Sequence, residues 1–94
     1  MLDVRDALLY RASPYQIPGA VRLDPEQIPE GPTSLGLDAD QAVVAYCSSA
    51  GERVSARVAR QLAGRGFRNV RILKGGLGGW AHAGLPLEPK VPGK

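Results

Sequence analysis

Ninety-four residues with one cysteine, one histidine and a net charge of +3 describe a single small domain. They exclude an internal disulfide, and a cysteine-based zinc site would need more ligands than Cys47 and His82 supply. The hydrophobic share of 44% and charged share of 22% are those of an ordinary soluble globular protein. No signal peptide and no apolar run of about eighteen residues is present, which points to a cytoplasmic chain that does not enter a membrane. The basic residues alternate with apolar or acidic neighbours and form no aromatic-and-basic stripe, which argues against nucleic acid as a partner.

In chain order, Leu2 to Arg5 reads as a short strand and Asp6 as the N-cap of a brief helix over Ala7 to Tyr10, broken by Ser13-Pro14. Tyr15 to Ala20 is a loop and Val21 to Leu23 a second strand. Asp24-Pro25-Glu26 predicts a one-turn helix ending near Ile28. Pro29 to Gln41 is loop-rich, with Leu35 and Leu37 turned inward. The apolar, β-branched run Ala42 to Tyr46 is a buried strand. Val54, Val58, Ala59 and Leu62 then fall on one face of a helix reaching about Arg65. Gly66 is its left-handed stop, with Phe67 docked behind. A strand over Val70 to Leu73 and a turn at Lys74-Gly75-Gly76 lead into a last helix, Leu77 to about Ala83. That helix carries Trp80, expected as a core anchor, and His82, expected at the surface. Leu85 to Glu88 lies along the surface, and residues 89–94 read as a frayed tail after a domain spanning 1–88. Strands alternating with helices predict an α/β domain with a small, mostly parallel sheet flanked by helices. Asp3 and Arg5 read as a structural pair, and Gly75-Gly76 as a tight turn.

The stretch that carries chemistry lies between the buried strand and the long helix. Cys47 sits at the carboxyl end of the strand, where α/β sheets hold their active sites. The small loop Ser48-Ser49-Ala50-Gly51-Glu52 follows, closed by Arg53. Loop amides converging on one point, together with the positive end of the helix, favour a thiolate and an anion beside it. The plainer readings are a buried structural cysteine and a capping box over Ser49-x-x-Glu52. Glu52, if turned inward, would repel an anion and raise the Cys47 pKa.

The segments Leu2-Asp3-Val4-Arg5, Ile17-Pro18-Gly19-Ala20, Val44-Ala45-Tyr46-Cys47, Gly66-Phe67 and Leu73-Lys74-Gly75-Gly76-Leu77, followed by Trp80 and Gly84-Leu85-Pro86, resemble the rhodanese-like domains. The order and spacing are similar from Leu2 to about Glu88. The lead-in helix and first strand usual before the first of these segments have no counterpart, so the chain reads as a minimal domain or one cut from a longer protein. The resemblance implies a rhodanese-like fold and a sulfurtransferase. Cys47 would take the sulfane sulfur of a small anionic donor such as thiosulfate, hold it as a persulfide and pass it to cyanide or a thiol on a small molecule or protein. The amides of Ser48, Ser49, Ala50, Gly51, Glu52 and Arg53 would cradle the persulfide and donor oxyanion, and Arg53 would lower the thiolate pKa. Neither cofactor nor metal is implied.

The loop is one residue longer than the common single-domain form. Cys47-x5-Arg53 also resembles the signature of rhodanese-fold dual-specificity phosphatases and arsenate reductases, with Tyr46 where those enzymes usually carry histidine. Lengthened loops followed by a Ser-Ala-Arg, here Ser55-Ala56-Arg57, are similar to those of some rhodanese-like domains attached to membrane proteins. A third reading is a non-catalytic module that binds a partner or regulates an attached domain.

Overall fold

The computed structural model describes residues 1–48 and 53–90. Four strands, β1 (Leu2–Asp3), β3 (Val21–Arg22), β4 (Val43–Tyr46) and β5 (Val70–Ile72), form a parallel sheet in the order β3-β1-β4-β5. Helix α1 (Ala7–Ala12) follows β1, α2 (Arg53–Gly64) connects β4 to β5, and α3 (Gly76–His82) follows β5. A separate antiparallel pair joins β2 (Tyr15–Gln16) to β6 (Glu88–Pro89).

Strand alternation divides the sheet into two faces with different chemistry. On one face Leu2, Val4, Val43 and Ala45 pack with Leu23, Val58, Leu62 and Phe67 into the apolar core. Helix α2 contributes to it through Val58 and Leu62, and its next inward position one turn earlier is Ser55. The helix ends as its composition dictates. Gly66 adopts φ +98, and the Phe67 amide reaches back to the Leu62 carbonyl at 3.2 Å, seating the ring in the core.

The other face is polar and buried. Pairing register sets Arg22 beside Asp3 and Asp3 beside Tyr46, three side chains in a row across β3, β1 and β4. Asp3 and Arg5 are each only 1% exposed, and Arg5 Nη2 lies 2.7 Å from Asp3 Oδ2 with Nε 3.0 Å from Oδ1. The Tyr46 hydroxyl donates to Asp3 Oδ2 at 3.0 Å and accepts the Ile17 amide at 3.3 Å. Arg22 Nη1 donates to the Arg5 carbonyl at 2.6 Å. A charge this deep is tolerable only when every lone pair and proton finds a partner, and this carboxylate is clamped from three sides. The expected Asp3–Arg5 pair is therefore present and is the centre of a larger network.

Several elements differ from the sequence reading. Asp24 to Gln27 is a turn rather than a helix, because the Asp24 side chain and carbonyl take the Glu26 and Gln27 amides at 2.9 Å each. A 3₁₀ turn over Pro32–Leu35 interrupts the expected loop. Trp80 is half-buried rather than a core anchor, and its indole nitrogen donates to the Pro86 carbonyl at 2.7 Å. Tyr15–Gln16, expected as loop, is a strand, and its partner includes Pro89, assigned to the frayed tail. Proline can join because β6 is an edge strand in a two-stranded pair, where its missing amide is tolerated. Glu88 holds this strap through the Gln16 amide at 2.6 Å, while the Lys90 amide donates to the Pro14 carbonyl at 2.8 Å. The Lys90 ammonium donates to the Tyr10 carbonyl and stands 3.7 Å from the centre of that ring. Burial, with the nearby Arg5 guanidinium, holds its pKa below the ordinary value. Residues 91–94 of the expected tail lie outside the described residues. Among the described residues no helix is long and apolar enough to cross a membrane.

Burial, then the neighbouring Asp3 carboxylate, raises the Tyr46 phenol well above its ordinary value of 10.0. Below that value folded and unfolded chains both keep the proton, and the stabilisation is complete. Above it the unfolded chain releases the proton first, so stability falls as pH rises. Tyr46→Phe should lower unfolding free energy at neutral pH by about 1.5–3 kcal/mol, since Asp3 and the Ile17 amide each lose a partner. It should also flatten the alkaline decline, as followed by urea denaturation between neutral pH and pH values above 10.0.

Candidate active site

The site is built where the two faces of the sheet meet at the carboxyl end of β4. Tyr46 turns toward Asp3, so Cys47, next along the chain, continues the Val43–Ala45 side toward α2. Cys47 is 6% exposed, and its sulfur lies 3.5 Å from the Oγ of Ser55, a residue that is itself fully buried. Arg53 opens α2, is exposed, and among the described residues pairs with no carboxylate. Ser48 is half-buried. Ser49, Ala50, Gly51 and Glu52 lie outside the described residues, and with them the cradle expected of their amides.

A second element fixes the start of the loop. The first turn of α3 points its amides at it: Leu77 donates to the Cys47 carbonyl at 2.8 Å and Gly78 to the Ser48 carbonyl at 3.0 Å. These two amides would otherwise be orphans of a helix terminus. The approach is close. A Cβ on Gly78 would stand 3.3 Å from the Ser48 oxygen. The Lys74-Gly75-Gly76 turn delivers α3 to this position through left-handed backbone at Gly75 (φ +84) and Gly76 (φ +61). The expected tight turn is thus present, and it serves the cysteine.

Ser55 and the α3 amides are the parts the sequence reading missed. Extending the apolar stripe Val58–Leu62 one turn toward the N-terminus lands on Ser55, which signals a buried hydroxyl beside Cys47. His82 is exposed, as expected.

The family model described as rhodanese-like domain matches residues 1–83. The chain belongs to the rhodanese-like domain family. Over 88 residues it is 37% identical to a protein of Actinobacillus succinogenes named thiosulfate sulfurtransferase GlpE, spanning 94% of this chain and 74% of that one. Among solved structures, the rhodanese-like domain of the Alr3790 protein from Anabaena sp. superposes with TM-score 0.73 at 30% identity, covering 93% of this chain and 94% of its own. A thiosulfate sulfurtransferase from Pseudomonas aeruginosa superposes with TM-score 0.74 at 26% identity, covering 94% of this chain but 16% of its own. These similarities bear out the α/β, mostly parallel rhodanese-like fold.

Gly75→Ala should lower unfolding free energy by about 1–2 kcal/mol, because an L side chain resists this backbone and its Cβ would stand 3.3 Å from Gly79 Cα. Urea denaturation of the variant against the parent domain measures it.

Proposed function

We propose that this rhodanese-like domain is a sulfurtransferase that carries sulfane sulfur on Cys47. The observation that carries the reading is the position of the chain's single cysteine, at the carboxyl end of a central parallel strand and beside the start of α2, with its carbonyl held by α3. The names of the Actinobacillus and Pseudomonas relatives support thiosulfate as a donor. In the first half-reaction the Cys47 thiolate attacks the sulfane sulfur of thiosulfate. The sulfur–sulfur bond of the donor breaks, its electron pair leaves with sulfite, and a persulfide remains on the enzyme. In the second, cyanide or an acceptor thiolate attacks the outer sulfur, and Cys47 leaves as thiolate. Arg53 and the amides of Ser48, Ser49, Ala50, Gly51 and Glu52 hold the donor's oxyanion and the terminal persulfide in this scheme. The chemistry needs only a small anionic donor and a thiol or cyanide acceptor, and it suits a reducing cytoplasm.

The 6% exposure of Cys47 favours a second reading, a partner-binding module whose cysteine is silent. The two diverge in one experiment. Intact-mass measurement after incubation with thiosulfate should find one added sulfur atom on the parent domain and none on Cys47→Ser. Arg53→Ala should slow loading about tenfold, as expected for losing one charge-assisted contact to the donor. No adduct on a domain whose thiol still alkylates would overturn sulfur transfer from thiosulfate and favour the module. Hydrolysis of an aryl phosphate, lost in Arg53→Ala, would instead assign Cys47-x5-Arg53 to phosphate chemistry.

A further inference from the structure

We propose that Ser55 is a positioning residue for Cys47, its hydroxyl stabilising the thiolate in both half-reactions; the inference rests on the sulfur-transfer reading and names a further residue of that site. Helix α2 buries three residues, Ser55, Val58 and Leu62, and only Ser55 is polar. Alanine would fill the same space, form helix more readily and bury no hydroxyl. The serine at this position has no exposed surface and sets its oxygen 3.5 Å from the Cys47 sulfur, within reach of the sulfur's chemistry.

While Cys47 is a thiol, its S–H donates weakly to Ser55 Oγ. When the sulfur ionises, the hydroxyl can turn about its Cβ–Oγ bond and donate to the anion, and a hydrogen bond to a charged acceptor is the stronger of the two. The contact thus gains strength on ionisation, so it favours the thiolate over the thiol. Ser55 is also the third residue of α2, so its donor acts where the helix's own partial positive charge is concentrated. Attack on thiosulfate begins from this thiolate. Discharge of the persulfide regenerates it as the leaving group, so one hydroxyl serves both steps. Its bond is to the inner sulfur, leaving the outer sulfur for the acceptor.

The test is the pH dependence of Cys47 alkylation by iodoacetamide in the parent domain, Ser55→Ala and Val58→Ala. Ser55→Ala should move the titration midpoint to higher pH and cut the alkylation rate at neutral pH about tenfold, in line with losing one hydrogen bond to a charged group. Val58→Ala loosens the same helix without touching a polar group. It should change the height of the profile and leave its midpoint in place. A Ser55→Ala midpoint coinciding with the parent's overturns the proposal, as does an equal shift in Val58→Ala. Alkylation requires no sulfur donor, so this result is independent of whether Cys47 accepts sulfur. If the parent loads with sulfur, Ser55→Ala should also slow discharge of its persulfide to cyanide by a similar factor.

Discussion

Asp3 carries a negative charge into the middle of the sheet, and the arrangement of the domain follows from satisfying it. Its carboxylate takes the Arg5 guanidinium through two nitrogens and the Tyr46 hydroxyl through a third bond. Arg5 continues to the Tyr15 carbonyl at 3.0 Å, and Arg22 closes over the Arg5 carbonyl. The network ties β1, β2, β3 and β4 together. β1, β2 and β3 have two residues each, too short for their ladders alone to define a register. A one-residue slip would turn Asp3 into the apolar core and Leu2 out of it. Breaking such a pair leaves a buried charge uncompensated, at about 3–5 kcal/mol, a large part of the stability of a small domain.

The same alternation that sends Tyr46 to the ion pair sends Cys47 to α2. The polar face thereby fixes where Cys47 lies. The site has two further supports. Helix α2 brings Ser55 from the core side, and the first amides of α3 hold the Cys47 and Ser48 carbonyls. The Lys74-Gly75-Gly76 turn makes the second possible, since its left-handed glycines set the direction in which α3 begins.

How much of this was legible in the sequence depended on whether the deciding contact was local. The β4–loop–α2 unit was readable because an apolar β-branched run and a 3.6-residue stripe each declare their period within a few residues. Gly66 and Phe67 were readable for the same reason, as a helix stop and its docking residue. The β2–β6 pair was not, because Gln16 and Glu88 are 72 residues apart and neither segment has a strand's alternation. Proline is also a poor strand residue except at an edge, which is where Pro89 lies. Trp80 was misplaced because a large aromatic side chain suggests the core, whereas its indole found a carbonyl at the surface. At the site, Cys47 was legible from position, while Ser55 was hidden by serine's usual preference for exposed or capping positions. Its place on the inward stripe was the available signal.

As a sulfur carrier, Cys47 would cleave one sulfane sulfur bond per chain and keep the outer sulfur. Rapid mixing of the domain with thiosulfate in the absence of any acceptor, with released sulfite followed over time, tests it most directly. The account predicts a burst of about one sulfite per chain, abolished by Cys47→Ser and recurring only after cyanide discharges the persulfide. A folded domain with an alkylatable Cys47 that releases no sulfite above the Cys47→Ser background would contradict it.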